Sequence, residues 1–354
     1  MAEKAFMTGN EALAEGAIRA GCQCYFGYPI TPQNDLTAYM SRNMPARNRV
    51  FIQAESELAA INMVYGASAA GIRAMTSSSS PGISLKQEGL SYIAAANLPA
   101  VLANIQRGGP GLGGIEPSQG DYFHAVKGGG HGDYRLIVLA PLSVQEMHDM
   151  AVLAFDLADR YRNPVMILAD GLLGQMLEPV ALHDESKNRV PEKPWALTGA
   201  RGGRPANIIR SLFVHEGELE RTNLALQEKY RAIAEAETRF ETHCAEDARV
   251  LIAAWGSVAR IARGAVDRAR AKGVKAGLFR PITLWPWPSA ALAARFPGVK
   301  AVSVVEMNAG QMVEDVRLAV NGRAPVAFKG FLGSRIPTET EILAELLALD
   351  GSVQ

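Results

Sequence analysis

The chain alternates short apolar runs with amphipathic stretches over most of its length. Asn10 can cap a helix of small residues through Ala20, with Gly21 as its stop signal. Cys22 to Tyr28 reads as a strand, which Tyr28-Pro29-Ile30-Thr31-Pro32 ends abruptly because two prolines fix an extended loop that joins neither helix nor ladder. Helix 33–43, strand 50–53, helix 56–69, strand 72–77, helix 84–96 and strand 100–106 follow. After a glycine-rich loop the alternation resumes with strand 136–140, helix 143–160 and strand 164–169. Six short apolar strands separated by helical segments predict an α/β fold, a doubly wound parallel sheet with helices on both faces. Ligands bind such sheets beyond the carboxyl ends of the strands. Here those ends carry residues 28–32, 53–57, 77–82 and 106–114.

From Asp184 to Ala206 the pattern dissolves into Lys, Arg, Pro and Gly, as expected of an exposed linker or a loop lying over a neighbour. His215 to His243 reads as a charged helix, too polar to be core. A second alternating unit comprises strand 249–255, helix 257–272, strand 274–280, a Pro/Trp segment 281–288, helix 289–295, strand 299–305 and helix 310–320. The expected division is therefore 1–184, a linker and charged helix at 185–245, and a smaller α/β unit at 246–354. Trp285 and Trp287, alternating with prolines, suit an interface better than a ligand site.

Composition narrows the class without choosing a function. The 354 residues carry 36 basic and 36 acidic side chains, so nothing advertises a nucleic-acid or membrane partner. The apolar runs are strand-sized, and the N-terminus has neither a signal-peptide core nor a transit pattern; a cytoplasmic protein is the expectation. Cys22, Cys24 and Cys244 lack metal-site spacing, so they read as small buried hydrophobes and no cluster or metal is expected on this chain.

Candidate chemistry gathers at the strand ends. Ser56 can cap a helix in which Glu57 shares the apolar face with Ile61 and Val64. An acid aimed at the core either complements the helix dipole or is held in an apolar site to share a proton with a bound heterocycle. Glu55 reads as an exposed loop acid. Thr31 offers a hydroxyl and a backbone N–H to a carboxylate, or else satisfies its own turn. Arg107, followed by Gly108-Gly-Pro-Gly-Leu-Gly-Gly114, can grip a carboxylate in bidentate fashion, or bond loop carbonyls. Ser77-Ser-Ser-Ser-Pro-Gly82 resembles an anion-binding helix start but lacks a P-loop pattern, and the glycine run is no dinucleotide fingerprint. His124 and His131 have no nucleophile elbow beside them.

Taken in order, Gly27-Tyr-Pro-Ile-Thr-Pro32, Gln53-Ala-Glu-Ser-Glu-Leu-Ala-Ala60, Ser80-Pro-Gly-Ile-Ser84, Gln106-Arg-Gly-Gly-Pro-Gly111 and Ser118-Gln-Gly-Asp121 are more specific than their parts. With Arg280-Pro-Ile-Thr-Leu-Trp-Pro286 and Glu306-Met-Asn-Ala-Gly-Gln311, the chain resembles the catalytic α-type subunit of the multisubunit thiamine diphosphate-dependent 2-oxoacid:ferredoxin oxidoreductases. The resemblance implies a pyrimidine-type cofactor domain followed by a transketolase C-terminal-like domain. It implies CoA-dependent oxidative decarboxylation of a 2-oxoacid, with coenzyme A as co-substrate and electrons passed to ferredoxin or another acceptor.

By motif match Glu57 is the glutamate that hydrogen-bonds N1′ of the aminopyrimidine, with Glu55 the lesser candidate. Thr31 and Arg107 match the substrate contacts, and Tyr28, Pro29 and Ser80 join Glu57 at the cofactor. The chain has no Gly-Asp-Gly magnesium and diphosphate motif, since Gly132-Asp133 runs into Tyr134. The resemblance thus implies a cofactor shared with a β-type subunit carrying Mg2+, together with γ and ferredoxin-like subunits carrying 4Fe–4S clusters, in a dimer of heteromers. The loops are more similar to the branched-chain or 2-oxoglutarate enzymes than to the fused pyruvate enzymes, and an aromatic 2-oxoacid stays open. The alternatives are a thiamine-dependent transferase or decarboxylase subunit and a noncatalytic assembly subunit.

Overall fold

The computed structural model describes residues 4–199, 201–333 and 335–353. Its larger sheet has seven strands in the order Thr283–Trp285, Ile137–Leu139, Pro164–Asp170, Ala100–Gln106, Ala74–Ser78, Cys24–Gly27 and Val50–Gln53. Six are parallel, as the alternating pattern predicts, and Thr283–Trp285 alone runs antiparallel. The two central strands, Ala100–Gln106 and Pro164–Asp170, pair over seven residues and are buried throughout, which is why they read as continuous apolar runs.

Successive residues divide between the faces. Val101, Ala103 and Ile105 pack with the helices Gly9–Arg19 and Val144–Tyr161, whereas Leu102 packs on the other side with Glu57–Ala69 and Pro81–Ala95. This second cluster continues without a break through Val302 of the smaller sheet, Trp255 at the start of the helix Gly256–Arg270, and Met312 and Val316 of the helix Met312–Val320, so the two sheets share one core.

The smaller sheet orders Val326–Gly330, Ala301–Glu306, Val250–Ala253, Ala276–Pro281 and Phe240–His243, the last antiparallel. Helices Gly256–Arg270 and Glu339–Gly351 cover its outer face.

Four features depart from the expected pattern. The charged helix spans Glu218–Glu237, and its last predicted turn is instead the strand Phe240–His243, which Phe240 anchors by stacking on Phe279 at 5.6 Å. Only a narrow stripe of that helix, Leu226, Tyr230, Ile233 and the ion-paired Glu237, is buried. The Pro/Trp segment supplies Thr283–Trp285 to the larger sheet, and Lys4–Thr8 pairs with Leu177–Ala181 as a separate ribbon. Finally, Thr8, not Asn10, caps the first helix, through a reciprocal capping box with Glu11. Asn10 is buried two positions further in, where its Nδ2 donates to the Pro32 carbonyl at 3.0 Å and so braces the Thr31 loop. No helix among the described residues is long and apolar enough to cross a membrane.

Candidate active site

Glu57 is the first residue of its helix, and Ser56 caps that helix as the sequence predicts, its hydroxyl accepting from Ala59 N at 3.1 Å. The carboxylate is 5% exposed while Glu55 is exposed. Its Oε1 accepts a long bond of 3.5 Å from Ser78 Oγ, and among the described residues no group donates to Oε2. That oxygen is not sealed from solvent, so it stands open to accept from a bound group.

The helix Pro81–Ala95 begins against this carboxylate. A Cβ on Gly82 would lie 2.4 Å from Glu57 Oε1 and 2.1 Å from Ser78 Oγ, so glycine is needed there for close approach. One turn on, Lys86 is wholly buried and donates from Nζ to the Glu57 carbonyl at 3.3 Å. Burial pushes its ammonium down to about 8, with Glu57 opposing the shift. The sequence reading missed Lys86, although it shares the helix face of the buried Ile83 and Leu90 and was legible by period.

Thr31 and Arg107 come together. Arg107 Nη1 donates to the Thr31 carbonyl at 3.0 Å and Nη2 to the Leu112 carbonyl at 2.9 Å, while its buried Nε has no partner. The Thr31 hydroxyl accepts from Asn34 Nδ2 at 3.2 Å. Ser80 clamps the arginine from behind: its Oγ accepts from Arg107 N at 3.0 Å and donates to Arg107 O at 3.2 Å. The loop carrying Tyr28 and Pro29 is fixed by the buried Gln33, whose Nε2 donates to the Tyr28 carbonyl at 3.1 Å and whose Oε1 accepts from Ser77 Oγ at 2.6 Å. Tyr28 is half-buried and Pro29 exposed. Glu57, Ser78, Ser80, Arg107 and Thr31 therefore form one path along the carboxyl edge of the sheet.

Two buried amides hold the far side. Asn104 Oδ1 accepts from Ser80 N at 3.1 Å, and Gln119 joins the two sheets, its Nε2 donating to Trp255 O and its backbone N to Met307 O. Glu306 is buried and accepts from Asn308, Gln311, Met312 and Val313; burial nonetheless pushes its carboxyl up. Here Glu306-Met-Asn308-Ala-Gly-Gln311 serves as a joint between the sheets. His124 is half-buried and His131 exposed, and no hydrogen bond ties either to Thr31, Glu57 or Arg107. Beside Thr31 opens a cavity of about 620 Å3, walled by Ile115, Leu172 and Met176 with Asp35 and Glu116 as its charged groups. Glu57 does not line it. On Glu57's own side, Leu58 and Leu85 stand exposed, and the outer edge of Val50–Gln53 pairs with nothing among the described residues.

Two family models match the chain: "Pyruvate flavodoxin/ferredoxin oxidoreductase, thiamine diP-bdg" over residues 15–244, and "Pyruvate:ferredoxin oxidoreductase core domain II" over 248–342. The chain is 50% identical over 97% of both lengths to ketoisovalerate oxidoreductase subunit VorB of Methanothermobacter marburgensis. It is 40% identical over 89% of its own length and 91% of the relative's to 2-oxoglutarate synthase subunit KorA of Archaeoglobus fulgidus. Among solved structures it is similar to 2-oxoglutarate:ferredoxin oxidoreductase from Magnetococcus marinus with 2-oxoglutarate, coenzyme A and succinyl-CoA bound. The TM-score is 0.90 and the identity 28%, over 99% of this chain and 66% of that one. A split-gene transketolase shares the fold alone, at 13% identity and a TM-score of 0.61 over 99% of this chain and all of that one.

Proposed function

The chain belongs to the thiamine diphosphate-dependent 2-oxoacid:ferredoxin oxidoreductases as an α-type subunit, and we propose that its substrate is a branched-chain 2-oxoacid of the 3-methyl-2-oxobutanoate kind. The family reaction is oxidative decarboxylation of a 2-oxoacid to an acyl-CoA and carbon dioxide, with ferredoxin taking the electrons. The observation that carries the site assignment is the buried Glu57 carboxylate with its open oxygen. Two observations support the substrate. Identity is 50% to ketoisovalerate subunits against 35% and 40% to 2-oxoglutarate subunits. In addition, we assign the substrate's side chain to the cavity beside Thr31, which neither Glu57 nor Arg107 lines; its apolar wall and two acids, with no Lys or Arg among the described lining residues, disfavour the second carboxylate of 2-oxoglutarate.

Bound thiamine diphosphate supplies an acidic ring carbon for attack on the 2-oxo group and a sink for the electrons that decarboxylation releases. The residues present fit its aminopyrimidine: Glu57 is a buried side chain whose Oε2 is left without a donor among the described residues and open to an approaching group, so it can accept a hydrogen bond from N1′. Ser78 donates to that carboxylate, Gly82 lets the next helix approach it and Lys86 holds the Glu57 backbone carbonyl; in this reading Tyr28, Pro29 and Ser80, at neighbouring strand ends, complete the cofactor contacts. Arg107 pairs with the substrate carboxylate by exchanging its bond to the carbonyl of the exposed Leu112, and its unpartnered Nε adds a second donor. The Thr31 hydroxyl, which accepts from Asn34, keeps its proton for the oxo-acid end.

The remaining parts belong to other subunits in this reading. A β-type subunit brings the diphosphate and Mg2+ site, covers exposed Leu58 and Leu85, and closes the cofactor over Glu57. The γ and ferredoxin-like subunits carry the iron–sulfur clusters. The purified complex, assayed for CoA-dependent viologen reduction against a panel of 2-oxoacids, tests the proposal. The expected result is kcat/KM highest for 3-methyl-2-oxobutanoate and lower for 2-oxoglutarate; the reverse order overturns it. Turnover without dye reduction indicates a transferase instead.

A further inference from the structure

Away from this site, three ligand-type side chains converge at the free edge of the smaller sheet, and we propose that His243, Cys244 and Asp267 form a binding site for a zinc-class divalent cation. His243 Nε2 lies 2.6 Å from Asp267 Oδ1 and 3.7 Å from Cys244 Sγ, and one ligand atom from each residue falls within 4.8 Å of the others. Spacing along the sequence hides the set, because Asp267 belongs to the helix Gly256–Arg270 packed beside that edge.

Two features set the cluster apart from a surface ion pair. Consecutive residues of an extended strand point to opposite faces, so a continued strand Phe240–His243 would send the Cys244 thiol away from His243. Cys244 instead adopts φ 53, a left-handed conformation that turns usually give to Gly or Asn, and its thiol comes to the His243 side. The second feature is that thiol and carboxylate approach the same ring nitrogen. A thiol–imidazole–carboxylate relay needs one on each nitrogen. Three donors crowding one point instead suit a shared cation.

The distances fit zinc. Tetrahedral bonds of about 2.0–2.1 Å to N and O and about 2.3 Å to S place N and S roughly 3.6 Å apart and N and O roughly 3.4 Å apart. The N···S separation already matches, and the exposed Asp267 has only to draw back by about 0.8 Å. A mixed N, S and O set favours zinc over Mg2+ or Ca2+, which take oxygen. Arg270 donates to the Cys244 carbonyl at 2.6 Å and fixes the turn, and its charge is met by Asp247 at 2.6 Å. Solvent fills the fourth position, and the ion staples the edge strand to the helix.

The full-length chain, stripped of metal, is titrated with Zn2+ against a chromophoric chelator and with Co2+, whose thiolate charge-transfer absorption reports a cysteine ligand. The expected result is one equivalent of Zn2+ that raises the melting temperature. Cys244→Ser removes the absorption, and His243→Gln and Asp267→Asn each weaken binding by about tenfold or more. Circular dichroism of the metal-free variants matches wild type. Absence of binding overturns the proposal, as does binding or an absorption that survives Cys244→Ser and so arises at Cys22 or Cys24.

Discussion

Replacing Gly82 with alanine sets helix propensity against the position of one carboxylate. Gly82 is the second residue of Pro81–Ala95, where alanine favours the helix by up to about 1 kcal/mol. The added Cβ would meet Glu57 Oε1 at 2.4 Å and Ser78 Oγ at 2.1 Å. Non-bonded atoms settle at about 3.5 Å, so the carboxylate must retreat by about 1 Å and the hydroxyl by somewhat more. Overpacking of this kind costs about 1–3 kcal/mol, which outweighs the gain in propensity. A displacement of about 1 Å at a reacting group costs roughly a hundredfold in rate. Two controls separate the effects. Gly66→Ala, on Glu57's own helix, meets nothing within 4 Å and should stabilise the chain with activity unchanged. Gly89→Ala meets Ile61 Cγ2 at 2.7 Å and should cost stability while leaving Glu57 in place. Urea midpoints and 2-oxoacid-dependent viologen reduction by the assembled enzyme are the readouts. Wild-type kcat in Gly82→Ala, with the loss appearing in Gly89→Ala, refutes the reasoning.

Arg73 is 2% exposed and pairs with the equally buried Asp159 at 2.7 Å and with Asp156 at 2.9 Å. Arg73→Met should lower stability by about 3 kcal/mol in urea denaturation, because Asp159 then keeps only Lys193, whereas losing the half-exposed Asp156 should cost under about 1 kcal/mol. Lys86 gives a pH signature. Its pKa falls from 10.5 to about 8 through burial, so between those values the unfolded chain holds a proton the folded chain has shed. This group's contribution to stability therefore rises with pH across that window, and its burial penalty is fully present below it. The stability of Lys86→Met relative to wild type should be most favourable near pH 7 and decline toward pH 10; a constant difference contradicts the assignment.

Strands buried on both faces were legible because burial leaves an uninterrupted apolar run, as in Ala100–Gln106 and Pro164–Asp170. Thr283–Trp285 was not, since its partner Ile137–Leu139 lies far back in the chain and its flanking prolines argue against a strand. Lys4–Thr8 and Phe240–His243 are likewise edge strands set by distant partners. At the site, period alone put Glu57 on an apolar face, and a glycine run marked Arg107. The joining of Arg107 to Thr31 through a carbonyl, and the clamp that Ser80 makes on it, are tertiary facts with no local pattern. Lys86 is visible by period, against the general rule that a lysine is rarely buried. Cys244 was dismissed by spacing, and only the left-handed turn after Phe240–His243 brings it to His243 and Asp267.

In the proposed mechanism Glu57 holds the proton that activates the cofactor. This role is tested most directly by Glu57→Gln in the assembled enzyme, following exchange of the thiazolium C2 proton of bound thiamine diphosphate by NMR after rapid quench. Glutamine keeps the volume and removes the ionisable oxygen, so exchange should slow by about a hundredfold to ten-thousandfold with the complex intact. Unchanged exchange in Glu57→Gln, with the loss found in Glu55→Gln, contradicts the account.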